Sequence, residues 1–287
     1  MKSKKTRQNS FKKEGKAVSP AISAVIITAV TIVLVLVAGN YAYQVLERQR
    51  GASELEAVKK SFISFDDAVR DVAWDKSGAR SARFTLNYGS LEVIPANAQK
   101  GLLINVTVDE YPYNDAKYID YTGYLRYNIS TNYVTFGDKY KSYMLGDDKA
   151  AISKGTENFG VALIEQRSKW VSITLCYRVR VMRTSVVEVH TTNGDYTVNY
   201  VEILIIKIVT SKWYTYIGDF DLVARNVAIT TKTSRDYDVA GKQKCNVSVS
   251  VGCLTNSRIP VDLDPGTLDK PGKVVFNFVV AEVYLGT

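Results

Sequence analysis

The chain has 287 residues, 46% of them apolar, which is ample for a packed core in one large domain or two small ones. Its net charge of +8 is uneven: Lys2, Lys4, Lys5, Arg7, Lys12, Lys13 and Lys16 stand against Glu14 alone, so the net charge beyond residue 17 is only +2. Basicity confined to a short leader beside an apolar run marks the cytoplasmic flank of a membrane-insertion signal and argues against a nucleic-acid partner.

From Val18 to Ala38 the clearly polar side chains are Ser19, Ser23, Thr28 and Thr31. At 1.5 Å per residue, a helix of this length spans roughly the ~30 Å hydrocarbon core of a bilayer. Pro20 suits a first helical turn, where its missing N–H costs no hydrogen bond. No second run of this kind occurs later in the chain, which predicts a single-pass or processed protein. "VAG" at Val37 to Gly39 also fits the cleavage site of a secretory signal, with Asn40 as the first mature residue.

The helical pattern continues past that point. Leu55, Val58, Phe62, Phe65, Val69 and Val72 recur at spacings of three and four, with Glu47, Arg48, Glu54, Glu56, Lys59 and Lys60 around them. No proline intervenes before Pro95, and Gly51 costs only about 1 kcal/mol in a helix interior. One helix is therefore expected from Pro20 to about Trp74, apolar all round in its first half and amphipathic in its second.

The segment "KAVSPAISAVIITAVTIVLVLVAG" resembles the class III leader and N-terminal helix of archaeal type IV pilins and archaellin-like surface proteins. In that family a prepilin-type membrane peptidase cuts before the apolar run, after a small residue that comes directly after a charged one. The resemblance implies Lys16 as the charged position, Ala17 as the small one and Val18 as the new N-terminus, with Ser19, Pro20, Ala21 and Ile22 next in the chain. A cut after Gly15 would leave Lys16 leading a helix meant for apolar surroundings. The likeness covers about the first forty residues, and "SFISFDDAVRDVAWDKSGARSARFTLNYGSLEV" is similar to the region C-terminal to the helix in some members.

Trimming has a physical rationale. Centring one charge in lipid costs about 2.5–3.5 kcal/mol on insertion scales, so the basic leader holds the helix as an anchor. Once it is removed, helices can leave the bilayer and bury apolar surface against one another at roughly 25 cal/mol per Å², with Ala21, Ala24 and Ala29 allowing close approach.

Beyond residue 74 the period becomes two. "RFTLNYGSLEVIP" reads as a strand from Arg83 to Tyr88, a turn at Gly89 and Ser90, and a second strand to Ile94. "LLINVTV", "WVSITLCYRVRVMR", "VEILIIKIV", "DLVARNVAIT", "CNVSVSVGC" and "KVVFNFVVAEVYL" are further strands. In the second of these, Val171, Ile173, Leu175, Tyr177, Val179 and Val181 share one face, as in a half-buried strand, while Ser172, Thr174, Arg178 and Arg180 share the other. The expected organisation is a leader (1–17), a long helix (18–74, transmembrane to about 39) and a β-rich extracellular head (75–287). Its fold class is α+β, the head being mainly antiparallel and β-sandwich-like, as one body or two lobes split near "GDDKAAISKGTENFG".

Three sequons, at Asn105, Asn128 and Asn246, fall opposite apolar neighbours in the pleat, on the side a glycan needs. Of the three cysteines, Cys245 and Cys253 lie too far apart along an extended strand to bridge, and Cys176 can meet either; free thiols are the expected state. His190, the only histidine, reads as a solvated strand-end residue. No nucleophile elbow, HExxH, paired CxxC, P-loop or dinucleotide fingerprint occurs. Asp66 and Asp67 are adjacent on a helix, Asp147 and Asp148 sit in a loop, and calcium at "GDD" or "DLDPG" would be unspecific. Catalysis, cofactors and metals are accordingly not expected.

Nine of the nineteen tyrosines lie between Tyr111 and Tyr143. Sheet pairing and rim packing account for them first; an adhesive surface for glycans or neighbouring subunits is the sharper reading. The implied protein is a pilin-like surface subunit, its partners the membrane, the prepilin-type peptidase, copies of itself through the N-terminal helix, and surface glycans. The alternatives are a permanently anchored binding protein and a secreted one.

Overall fold

The computed structural model describes residues 20–111, 114–147, 150–155, 157–192 and 194–287. Two compact units divide within the helix, residues 1–47 and 48–287. In the first, the described chain is the opening half of α1 (Pro20–Ala73). The sequence period placed this helix to within a residue at its C-terminal end.

Among its described residues, the second unit contains the rest of α1 and fifteen strands. In chain order they are β1 (Ala79–Ile94), β2 (Leu102–Val108), β3 (Lys117–Thr122), β4 (Tyr124–Ser130) and β5 (Lys141–Leu145). Then come β6 (Ile152–Ser153), β7 (Gly160–Arg167), β8 (Trp170–Tyr177), β9 (Val179–Val189) and β10 (Tyr196–Val209). The last are β11 (Tyr214–Thr233), β12 (Tyr237–Asp238), β13 (Lys244–Val251), β14 (Ser257–Asp262) and β15 (Gly272–Gly286).

Eleven strands form one sheet in the order β5-β7-β8-β4-β1-β11-β15-β10-β9-β6, with β12 on β15; β14-β13-β2-β3 form a second. All pairings are antiparallel except β10 with β15 and β6 with β9. A single residue, Arg178, joins β8 to β9, yet β4, β1, β11, β15 and β10 lie between them in the sheet. The sheet therefore curls into a half-barrel, and the chain crosses its open side at Arg178. The one half-buried strand expected over residues 170–183 is instead two strands: β8 is buried on both faces, and the break falls where the Arg178 N–H donates to Phe159 O.

The amphipathic stripe of α1 fills the half-barrel. Leu55, Val58, Phe62, Phe65, Val69 and Val72 pack with Phe84, Leu86, Leu91, Leu125, Ile173, Leu175 and Leu222 in the larger core. Each such side chain contributes about 1.5–3 kcal/mol over an exposed one, before conformational entropy. Gly51 is required by this packing, since a Cβ there would meet Tyr133 Cβ at 2.6 Å. A second core lies between the small sheet and strands of the large one: Ile104, Val106, Val247 and Val249 face Val201, Ile203, Phe276 and Phe278. The fold is α+β, but a helix fills the main core where a two-sheet sandwich would place a second sheet.

β10 and β15 serve both cores. Val274, Phe276, Phe278 and Val280 enter the second core, and Ala281, Val283 and Leu285, of opposite phase, enter the first. That double burial explains why "VEILIIKIV" and "KVVFNFVVAEVYL" read as nearly unbroken apolar runs, as parallel neighbours covered on both faces do.

Candidate functional site

Two regions carry the functional argument. The first is the opening half of α1. Its most apolar window has a mean hydropathy of 2.9 and none of it is buried. The large aliphatic side chains from Ile22 to Val37 are 51–69% exposed. No charged residue occurs between Ala21 and Leu46. The Thr28 hydroxyl donates to Ala24 O at 2.9 Å and the Thr31 hydroxyl to Ile27 O at 2.8 Å, so both polar groups are satisfied within the helix. An apolar cylinder whose threonine hydroxyls bond back to their own helix is what a bilayer core accepts. Tyr41 and Tyr43, 70% and 62% exposed, come after it and precede the first charges, Glu47 and Arg48, in the pattern of aromatic residues at a membrane boundary. The helix is long and apolar enough to cross a membrane. Pro20 is its first helical residue, as expected. The cleavage positions Lys16, Ala17, Val18 and Ser19 lie outside the described residues.

The second region is the seat of α1 in the head. Glu54 is buried, and its carboxylate accepts the N–H groups of Asn87, Tyr88 and Gly89 at 2.6–2.9 Å and the Tyr127 hydroxyl at 2.8 Å. Those three N–H groups belong to a bulge: Leu86 pairs with Gly218 and Leu91 with Tyr216, so Asn87 to Ser90 oppose Ile217 alone. The turn expected at Gly89 and Ser90 is therefore this bulge in a continuous strand, because Glu54 takes the donors that a reversal of the chain would have paired. Burial, then Glu54, raises the Tyr127 pKa far above its ordinary value.

At the other end of the seat, the Asn226 amide donates to Val72 O and Ala73 O, closing the last turn of α1. Asp66 is 1% exposed, with Arg70 Nε 3.1 Å from its Oδ2. Burial pushes its pKa up to about 6, against the pull of Arg70. A Cβ on Gly160 would fall 1.9 Å from Asp66 Oδ1, so that close approach requires glycine. Arg178, 4% exposed, meets Asp147 Oδ1 at 2.7 Å and Glu157 Oε2 at 3.6 Å. The loop position of Asp147 is thus a partner of the β8–β9 crossing; Asp148 lies outside the described residues. Asp67 is exposed and pairs with Arg70.

The sequon asparagines keep the expected phase. Asn105 alternates with buried Ile104 and Val106, Asn128 with Tyr127 and Ile129, and Asn246 with Cys245 and Val247. Asn246 Nδ2 donates to Glu110 Oε1 at 2.6 Å, and Asn128 Oδ1 accepts from Ser172 Oγ at 2.7 Å. Asn105 lines a cleft of about 250 Å³ with Thr107, Ser248, Val249, Ser250 and Arg258.

The cysteines correct the free-thiol expectation: Cys176 and Cys253 form a disulfide, and Cys245 stays free and buried. Cys253 lies past the end of β13, where the Leu254 N–H donates to Val251 O in a turn, so the strand separation that kept it from Cys245 does not keep it from β8. Burial, then Glu110, pushes the Cys245 thiol up to about 12. His190 is exposed at the end of β9, with Asp195 at 2.8 Å. Among the described residues, no three His, Cys, Asp or Glu side chains converge on a metal position.

No family model, curated protein or solved structure matches this chain.

Sequence reasoning missed Glu54, Asn226 and the Asp66–Arg70 pair. Glu54 stands one position before Leu55 of the apolar stripe, on the edge that turns inward, and that adjacency was the available signal. Asn226 carried none, since its role depends on a helix end more than 150 residues earlier in the chain.

The tyrosine-rich stretch goes largely into packing. Tyr111, Tyr124 and Tyr127 are buried, while Tyr111 stacks on Tyr237, Tyr118 on Phe278 and Tyr140 on Phe136.

Proposed function

We propose that this chain is a pilin-like cell-surface subunit. A prepilin-type peptidase removes the basic leader after Ala17, and the opening half of α1 anchors the protein in the membrane. That half-helix then assembles with copies of itself into a filament or appendage, carrying the β-rich head outside the cell. The observation that carries this reading is the division of one continuous helix into a fully exposed apolar half and a half that is the core of the head. Such an exposed cylinder needs lipid or other helices around it. α1 runs without a break through Gly39, so the apolar half and the half seated in the head are one helix, which supports retention of the apolar half.

Mass spectrometry of the mature N-terminus tests the processing step. A chain beginning at Val18 is the expected result. Met1 would indicate a permanently anchored protein, and Asn40 a secreted one, which would overturn the proposal. Electron microscopy of surface filaments, decorated by an antibody to the head, tests assembly.

A further inference from the structure

A run of stacked aromatic rings in the head lies away from the tyrosine-rich stretch. β15 reaches Gly286 opposite Val223, so β11 from Tyr214 to Leu222 pairs with β1 alone among the described residues. Along this stretch the half-buried Tyr214, Tyr216 and Phe220 stack in sequence, with ring centroids 6.0 and 5.0 Å apart and planes within 30°. The bulge that Glu54 holds in β1 lies opposite Ile217, between Tyr216 and Phe220.

Tyr284 on β15 shares a hydrogen bond with Tyr214, whose hydroxyl also lies 3.3 Å from Ser211 Oγ. Tyr214, Tyr216, Tyr284, Val223 and Arg225 line an open cleft of about 320 Å³, at the lower end of small-ligand sites, with Ser211 beside it. Arg225 is exposed and has no ion-pair partner among the described residues.

We infer that this cleft binds an acidic saccharide, a hexuronate residue of a glycan, with its ring on the Tyr214–Tyr216 platform and its carboxylate on Arg225. A pyranose presents a C–H face to an aromatic ring and a rim of hydroxyls to donors and acceptors, which Tyr214, Tyr284 and Ser211 supply. A guanidinium matches a carboxylate through two parallel hydrogen bonds. Arg225 lines the cleft and Lys212 Nζ lies 5.4 Å from the centroid of the Tyr214 ring, and two cations beside stacked rings suit the carboxylate of an acidic sugar, whereas a polyphosphate backbone calls for a basic stripe. The inference rests on reading the head as the contact-making part of a surface subunit, and its failure would leave the processing and anchoring of α1 untouched.

The test is calorimetric titration of the full-length chain in detergent micelles with trigalacturonate, galactotriose and oligothymidylate. Trigalacturonate is expected to bind, with galactotriose weaker by roughly ten- to a hundredfold, the worth of one charge-assisted contact. Arg225→Gln, on an exposed side chain, should bring the acidic sugar down to the neutral one with an unchanged circular dichroism melt, and adding Tyr214→Phe, which keeps the ring and removes its hydroxyl, should weaken both sugars further. Absence of trigalacturonate binding at millimolar concentration, equal affinity for the neutral sugar, unaltered binding by Arg225→Gln, or preference for oligothymidylate would each overturn the inference. So would loss of self-association in Arg225→Gln without any sugar binding, which would assign this face to a second copy.

Discussion

Replacing Glu54 probes the seat of α1 most directly. Its carboxylate meets three backbone donors and one phenol, and hydrogen bonds to a charged group contribute about 1.5–3 kcal/mol each when considered singly. The four do not add, because they share one acceptor group. Glu54 also borders a cleft of about 530 Å³ with Arg50, Ser53, Thr85 and Asn87, through which water can reach donors left behind. Glu54→Ala is therefore expected to lower the stability of the head by about 3–5 kcal/mol, near the cost of breaking a buried charged contact. Glu54→Gln keeps the shape and one acceptor oxygen but turns an N–H toward Gly89 or Tyr127, for a loss of about 2–3 kcal/mol. Tyr127→Phe leaves the backbone donors satisfied and should cost about 1 kcal/mol, and the Gln–Phe double variant should fall short of the sum by about the same amount. Urea unfolding of the full chain in detergent, monitored by tryptophan fluorescence, measures all four proteins. A Glu54→Ala midpoint within about 0.5 kcal/mol of the wild type, as for an ordinary surface site, would refute the assignment.

Asp66 makes stability depend on pH with a defined sign. Its folded pKa of about 6 lies above the ordinary 3.8, so the folded state binds this proton more tightly and stability is lost as pH rises. From about pH 4.5 to about pH 7 this group should remove about 2 kcal/mol, and Asp66→Asn should flatten that slope; equal slopes in urea titrations of the two proteins would contradict it. The Cys176–Cys253 bridge closes 77 residues, and chain entropy alone predicts about 4 kcal/mol lost on reduction, read as a fall in the urea midpoint with dithiothreitol. An unmoved midpoint would mean that the bridge constrains nothing. Asn226→Ala removes two bonds to the closing carbonyls of α1 and should cost about 1–3 kcal/mol, with faster amide exchange confined to the residues it capped; exchange unchanged there would count against the capping role.

How much of the fold was legible in the sequence depends on how local each cause is. The 3.6-residue stripe from Leu55 to Val72 and the alternation in residues 102–108 and 244–251 depend on a neighbour's presence and little on its identity, so helix and strands were legible. The bulge at Asn87 to Ser90 was not, because "NYGS" has turn chemistry and only a carboxylate from a helix more than thirty residues earlier makes it a bulge. The parallel pairing of β10 with β15 was hidden for a similar reason: an apolar run announces double burial without naming the neighbour or its direction. Cys176 and Cys253 likewise meet only because two elements 77 residues apart converge. The ring stack of Tyr214 and Tyr216 leaves no mark in the density of tyrosines along the chain, because that density reflects the packing of the cores.

β15 has β10 on one side and β11 on the other, and it furnishes both cores with phenylalanine, valine and leucine. During synthesis α1 emerges first and this strand comes after every other strand in the sheet. Until it arrives, the half-barrel lacks its middle and Leu55 to Val72 have only part of their wall. The head thus stays an open, unfinished chain, exposed to proteases, until the closing strand zips home.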